Sequence, residues 1–317
     1  MKVTLYPKIL FMVLIASMVS LLSFYYFSVA GFFPPKVSEK SHFIVSKDSV
    51  FKRVATMPMP ETLRFAGEEV PLGNEDVYER LERELIHNSY KLSATLLILK
   101  REGRWKALIQ QTLRENGVPE DFFYLSVAES ELDVYAKSAV GAVGFWQFMP
   151  ATCKEYGLEV SAQVDQRRDV LLATQAACKY LKEAYQKFGN WTLVAASYNR
   201  GMAGMHKAIE GQKQASYYDL YLNQETYRYI FRILAMKVIM QNPEKYGFHL
   251  TENEKYKPFA TTSIEVDKTI QDLAEFAKQN NTTYHILKKL NPWLDDNNDY
   301  KLVITKGKYT IYLPQKQ

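Results

Sequence analysis

The sequence predicts a mainly α-helical protein that ends in a small α+β unit. Three observations carry this. Apolar residues recur at helical spacing over most of residues 76–250. Helix punctuation falls at the ends of those stretches, with Pro119 at a start, Gly157 at a stop and Asn199-Arg200-Gly201 at a break. After Pro258 the pattern changes to strand, helix, helix, strand. The chain has 317 residues and 47% hydrophobic content, enough for one sizeable core and a smaller one.

The elements follow in order. Lys2 and Lys8 precede an uncharged apolar run from Ile9 to Phe33. A bilayer core of ~30 Å needs ~20 such residues. The leading lysines would hold the N-terminus inside and send the rest outward. Ser28-Val29-Ala30 also offers small residues at the spacing of a signal-peptidase site. Residues 1–33 therefore read as a signal peptide cleaved after Ala30 or as a retained membrane anchor, and both stay open. No Cys lies near the N-terminus, so a lipoprotein anchor is not expected. Residues 34–75, rich in Pro, Ser and charge up to Gly73, read as a tether with little structure.

From Asp76 onward, residues 77–90 and 93–117 read as two amphipathic helices. Leu96, Leu97, Leu99, Trp105 and Leu108 are expected in the core, with Arg101, Arg104 and Lys106 solvated. A short helix follows Pro119, its positive end complemented by Glu120 and Asp121. Phe122, Leu125 and Leu132 fall at helical spacing, and Glu129 lies on the same side. Glu131 and Asp133 follow that stripe less closely. A carboxylate in apolar surroundings loses hydration, so its pKa rises and it keeps a proton near neutrality. That is the property of a general acid for glycoside cleavage. Glu129 is the candidate for it, against the plainer reading of a structural ion pair.

A glycine-bearing loop follows. Gly141 and Gly144 bracket Ala142 and Val143, and residues 145–150 read Phe-Trp-Gln-Phe-Met-Pro. Glycine lets backbone approach a ligand. Trp146 offers a flat face to a sugar ring, and Gln147 offers a donor and an acceptor. Gly144, Trp146 and Gln147 are thus candidate substrate contacts. Ala151-Thr152 open another short helix. Further on, residues 192–209 read as a helix broken at Asn199-Arg200-Gly201, with Tyr198 and Asn199 just before the break, placed to hydrogen-bond a carboxyl group or a substrate.

The formal net charge of +5 suits an anionic polymer; no nucleic-acid motif is present, so nucleic acid is discounted. The five His are scattered and no cluster has metal-ligand spacing, so neither a metal nor an organic cofactor is expected. The two cysteines, Cys153 and Cys178, both fall on predicted helices. A disulfide and two buried free thiols are both open, free thiols being the commoner outcome.

Glu129-Ser130, the run from Ser138 to Thr152, and Ala196 to Gly201 (Ala-Ser-Tyr-Asn-Arg-Gly) together resemble the SLT-type soluble lytic transglycosylase family. The resemblance covers roughly Asp76 to Phe248. Phe145 stands where the family more often has a smaller aliphatic residue. The resemblance implies a lysozyme-like helical domain acting on peptidoglycan, with Glu129 as the single catalytic acid/base. It implies that Ser130, Gln147, Tyr198 and Asn199 line the cleft or orient that acid. It places Glu225 and Tyr229 as a further pair that shapes the cleft. The expected reaction cleaves the bond between N-acetylmuramic acid and N-acetylglucosamine without water, leaving a 1,6-anhydro end. A lysozyme-type hydrolase using Glu131 or Asp133 and a catalytically idle wall-binding protein are the alternatives.

Residues 258–317 resemble a LysM glycan-binding domain. Asp267-Lys268-Thr269 replaces the usual glycine-bearing turn. Glycan binding and simple bracing of the enzyme are both open for it. The expected partner is peptidoglycan, the expected location the periplasm, either free or tethered through residues 9–33.

Overall fold

In a computed structural model of the chain, residues 56–295 and 300–315 are described. The expected membrane-spanning run at 9–33 lies outside them. Among the described residues no helix is long and apolar enough to cross a membrane.

The helical part comprises α1 (Glu75–Tyr90), α2 (Leu92–Glu115), α3 (Phe122–Ser130), α4 (Pro150–Tyr156), α5 (Val170–Phe188), α6 (Trp191–Arg200), α7 (Met202–Gln212) and α8 (Gln224–Gln241). Their ends follow capping chemistry. The Asn74 side chain accepts from the backbone N–H of Asp76 and Val77 to start α1. Asp169 and Asn190 start α5 and α6 in the same way. Gly189 ends α5 in the left-handed region, and Gly201 separates α6 from α7 where a break was expected.

The α3 helix sits in the middle. Residues 122–127 are buried on every side, so this helix is not amphipathic. It packs against α2 and α8, while α8 also packs on α1 and α6. The expected stripe through Leu132 is corrected. The helix stops at Ser130, and Glu131 and Leu132 adopt left-handed φ values of 52° and 56°. Leu132 still reaches the core, but from a turn.

Two further expectations are corrected. The tether does not extend to Gly73. Arg64–Phe65 (β1) and Glu68–Glu69 (β2) pair antiparallel, and Leu63, Phe65 and Val70 enter the core. The Phe65 ring meets the Phe122 ring edge-on at 5.3 Å. The Glu68 carboxylate accepts from the backbone N–H of Trp191 and Thr192 at the start of α6, 2.5 and 2.9 Å away. A composition read over forty residues hides three apolar ones at the right places. On α2, Leu99 is buried, but Leu96, Leu97 and Leu108 are exposed. A helix this long carries more apolar residues than its one buried face can use.

The C-terminal unit has the expected order: β3 (Thr261–Val266), α9 (Leu273–Gln279), α10 (Tyr284–Leu290) and β4 (Tyr309–Pro314). The strands pair antiparallel from Thr261↔Pro314 to Val266↔Tyr309. Its small core of Leu273, Ala277, Leu287, Trp293, Leu302 and Ile311 also receives Val164 from the helical part. The backbone joins there: Val164 bridges Leu294, and the Asp165 N–H donates to the Trp293 carbonyl at 2.7 Å.

Candidate active site

A cleft of about 640 Å³ opens at the C-terminal end of α3. Its walls come from three places: Leu97 and Arg101 on α2, Glu129, Ser130, Glu131 and Asp133 at and just after the end of α3, and Ala136 to Ser138 with Gln147 from the loop that follows. Glu129 is in the last turn of α3, half-buried. The hydroxyl of Tyr229, on α8, donates to Glu129 Oε1. Burial drives the Glu129 carboxyl up to about 7, and the nearby Glu225 charge adds to this. The Tyr229 hydrogen bond and the Arg232 charge pull the other way without cancelling it. A carboxyl poised near neutrality can both give and take a proton.

The loop is built on itself. Gly144 N–H donates to the Ala136 carbonyl at 2.9 Å, and Val143 and Phe148 exchange backbone hydrogen bonds at 3.2 Å. Arg167 fixes it from behind. Its guanidinium forms a two-point pair with Asp165, both bonds at 2.8 Å. It also donates to the carbonyls of Gly141 at 2.9 Å and Phe148 at 3.2 Å.

Against this frame the expected site residues divide. Gln147 lines the cleft with a left-handed φ of 46°. Its amide nitrogen donates to the carbonyls of Ala136 and Gly144, leaving its carbonyl oxygen as its remaining polar atom. Ser130 is buried at the cleft wall, its hydroxyl donating to the Ser126 carbonyl at 2.9 Å. Tyr198 supports the loop by donating to the Trp146 carbonyl at 2.8 Å. Asn199 joins α6 to α8: it donates to Glu225 at 3.1 Å and accepts from Thr226 at 2.8 Å. Neither Asn199 nor Glu225 is among the residues lining the cleft.

Trp146 and Gly144 are corrected as substrate contacts. Trp146 is completely buried, and its indole N–H donates to the Thr174 hydroxyl at 2.9 Å. It holds the loop to α5 and offers no ring face to a sugar. Gly144 faces protein: a Cβ there would lie 2.0 Å from the Arg167 carbonyl oxygen. Its glycine is required by packing and by a φ of 80°.

Three features escaped the sequence reading. Tyr229 touches the Glu129 carboxyl itself, which local sequence does not reveal because the two lie a hundred residues apart. Glu131 and Asp133, given less weight on helical phase and kept only for the hydrolase alternative, line the same cleft as Glu129, because the helix ends before them. Each is ion-paired, Glu131 with Lys91 at 3.7 Å and Asp133 with Arg101 at 3.4 Å. Arg167 carries no motif signal; only the fold shows what it holds. Cys153 and Cys178 are both buried free thiols. Among the described residues no group of three or more His, Cys, Asp and Glu is placed to hold a metal ion.

Comparison with known proteins identifies the parts. Residues 106–221 match the family model of the transglycosylase SLT domain, and residues 262–317 match that of the soluble lytic transglycosylase C-terminal LysM-like domain. Over those residues the chain is similar to an SLT domain and, after it, to a LysM-like domain. Among curated proteins it is similar to membrane-bound lytic murein transglycosylase D of Escherichia coli strain K12, 29% identical over 221 residues, covering 67% of this chain and 48% of that protein. It is also similar to a putative tributyltin chloride resistance protein of Alteromonas sp. strain M-1, 26% identical over 129 residues, covering 40% of this chain and 62% of that protein. The chain spans about half the length of the first of these relatives. A solved structure of an inactive mutant of the lytic transglycosylase Slt from Pseudomonas aeruginosa aligns over 48% of this chain and 26% of its own, with a TM-score of 0.37 and 21% identity.

Proposed function

We propose that this chain is a peptidoglycan lytic transglycosylase whose single acid/base is Glu129. The observation that carries the reading is a half-buried carboxyl, hydrogen-bonded by Tyr229 and raised to about 7, at the floor of an open cleft. Glu129 protonates the oxygen leaving C1 of N-acetylmuramic acid. The 2-acetamido oxygen of the same sugar attacks C1 as that bond breaks. The sugar's 6-hydroxyl then displaces the acetamido oxygen, and Glu129 takes the hydroxyl proton. The product is a 1,6-anhydro end, and no water is consumed. Gln147 and Ser130 border the reacting sugar; Tyr198 and Asn199 hold the surrounding elements.

In this reading residues 76–250 cleave the glycan, and residues 258–317 hold the enzyme against the wall. Residues 1–33 export the chain to the periplasm, as a cleaved signal or as an anchor through residues 9–33.

Hydrolysis is the second reading, because Glu131 and Asp133 share the cleft and either would be placed on the same wall as Glu129. Digestion of isolated peptidoglycan in heavy-oxygen water decides between them. Muropeptides ending in anhydro sugar, lighter by one water and unlabelled, are expected. Reducing ends that carry the heavy oxygen would make the enzyme a hydrolase.

A further inference from the structure

A second cavity, of about 420 Å³, lies between α2 and the LysM-like unit. Its walls are mainly apolar and aromatic: Trp105 and Leu108 from α2, and Phe259, Trp293 and Tyr312 from the C-terminal side. Arg168 completes it. Concave, mostly apolar spaces of this size at domain junctions are the usual form of a ligand site.

Two of its lining residues hold donors that nothing satisfies. Trp293 is 3% exposed, and its indole N–H has no partner. Arg168 spends one guanidinium nitrogen on Asp295 at 3.2 Å, yet its buried Nε has no partner either. Buried polar groups are nearly always hydrogen-bonded, and an orphan calls for an explanation. Indole and guanidinium groups donate only. The missing atoms are therefore acceptors, and a carboxylate suits the guanidinium best. A neutral sugar could stack on the rings but would bring no charge to the Arg168 guanidinium, so an acidic ligand is favoured.

The cavity is also aligned with the cleft. Leu97 and Arg101 line the cleft, while Arg104 and Leu108 line the cavity. These four positions share one face of α2. Arg101 and Leu108 are separated along the axis by about 10 Å at ~1.5 Å per residue. An extended peptide covers that in about three residues at ~3.3–3.6 Å each.

Resting on the peptidoglycan reading of the cleft, we infer that this cavity binds the short acidic peptide carried by N-acetylmuramic acid. A strand in the cleft would lay its peptide branch along α2, its carboxylate on Arg168, a carbonyl on the Trp293 N–H, and its methyl groups on Leu108 and the rings. The site would favour peptide-bearing over bare glycan.

The test is calorimetric titration of the full chain with a sugar-free probe, L-alanyl-γ-D-glutamyl-L-lysine. One-site binding is expected. Trp293→Phe keeps the ring and removes the N–H, and should weaken binding roughly 3–10-fold, the worth of one hydrogen bond. Leu108→Trp fills the cavity from a half-open position and should weaken it at least tenfold. Glu129→Gln should bind like the parent. Circular dichroism confirms that each variant is folded, and Trp293→Phe decides alone if Leu108→Trp does not fold. No binding by the parent, parental affinity in the folded variants, or loss of binding in Glu129→Gln would overturn the proposal. Labelled reducing ends in the wall digest would overturn the transglycosylase reading instead, and leave this titration unaffected.

Discussion

At the scale of single residues, burial does most of the work. Glu129 is raised to about 7 chiefly because its carboxyl has lost water, not because of a charged neighbour. The sign for stability follows. The folded chain keeps a proton that the unfolded chain releases above 4.5, so stability falls as pH rises from about 4.5 to 7 and is level beyond. The effect is about 3 kcal/mol at most. Glu129→Gln should therefore melt higher than the parent at pH 8 and no higher at pH 4, while losing at least ~10²–10⁴-fold in cleavage. A variant that still clears cell-wall suspensions within a few-fold of the parent would remove Glu129 from the reaction. Tyr229→Phe deletes the hydrogen bond that favours the ionised form. The alkaline limb of its rate profile should move to higher pH, with a lower rate; an unmoved limb would separate Tyr229 from the acid. Glu129 stood out as a candidate in sequence because an acid among apolar neighbours is visible locally, and the family resemblance gave it its proposed role. Trp146 misled because exposure is not a local property: the same ring serves a sugar or a core according to what packs on it, and here Thr174 does.

Between residue and fold, the decisive element is the end of α3 and its loop. The helix stops one residue after Glu129, so Glu131 and Asp133 are placed by a left-handed turn and not by helical phase. A periodicity argument holds only while the helix lasts, and nothing at Glu131 or Leu132 marks a stop, since both are non-glycine residues with positive φ. The loop depends on Gly144. Ala there would meet the Arg167 carbonyl and be held at an unfavourable φ of 80°. Gly144→Ala should lose more than ~1 kcal/mol in urea unfolding. Because Arg167 also holds Gly141 and Phe148, cleavage should fall with it. An unchanged unfolding midpoint would show that this packing gives way freely. The helix boundaries at Gly157 and Gly201 were readable because glycine at a helix end answers a local backbone demand.

For the molecule as a whole, the LysM-like unit is joined to the helical part by core, backbone and charge. Val164 is buried in its core, Asp165 is paired with the Trp293 backbone, and Arg168 meets Asp295. The Tyr309 hydroxyl donates to Glu159 at 2.7 Å. Removing residues 258–317 should leave a folded domain of lower stability. Exposing Val164 alone costs about 1.5–3 kcal/mol, and each kcal/mol lowers the melting temperature by ~2–4 °C at this size. Since Asp165 pairs with Arg167, and Arg167 holds the loop, soluble glycan turnover should fall as well. Identical melting of the full and shortened chains would show that the junction contributes nothing to stability.

The sequence by itself determined the helical class, the order of strands and helices after Pro258, most helix ends and the setting of Glu129 among apolar residues. All of these follow from local chemistry: periodicity, caps, glycine and an acid set among apolar residues. Only the tertiary structure decided which side chains surround that acid and which merely support the loop. It took Leu63, Phe65 and Val70 into the core, turned Trp146 inward, brought Tyr229 to Glu129 and made the LysM-like unit share a core with Val164. Those outcomes depend on contacts between residues far apart in the chain, where burial is set by what arrives from elsewhere, and a linear pattern carries no record of it.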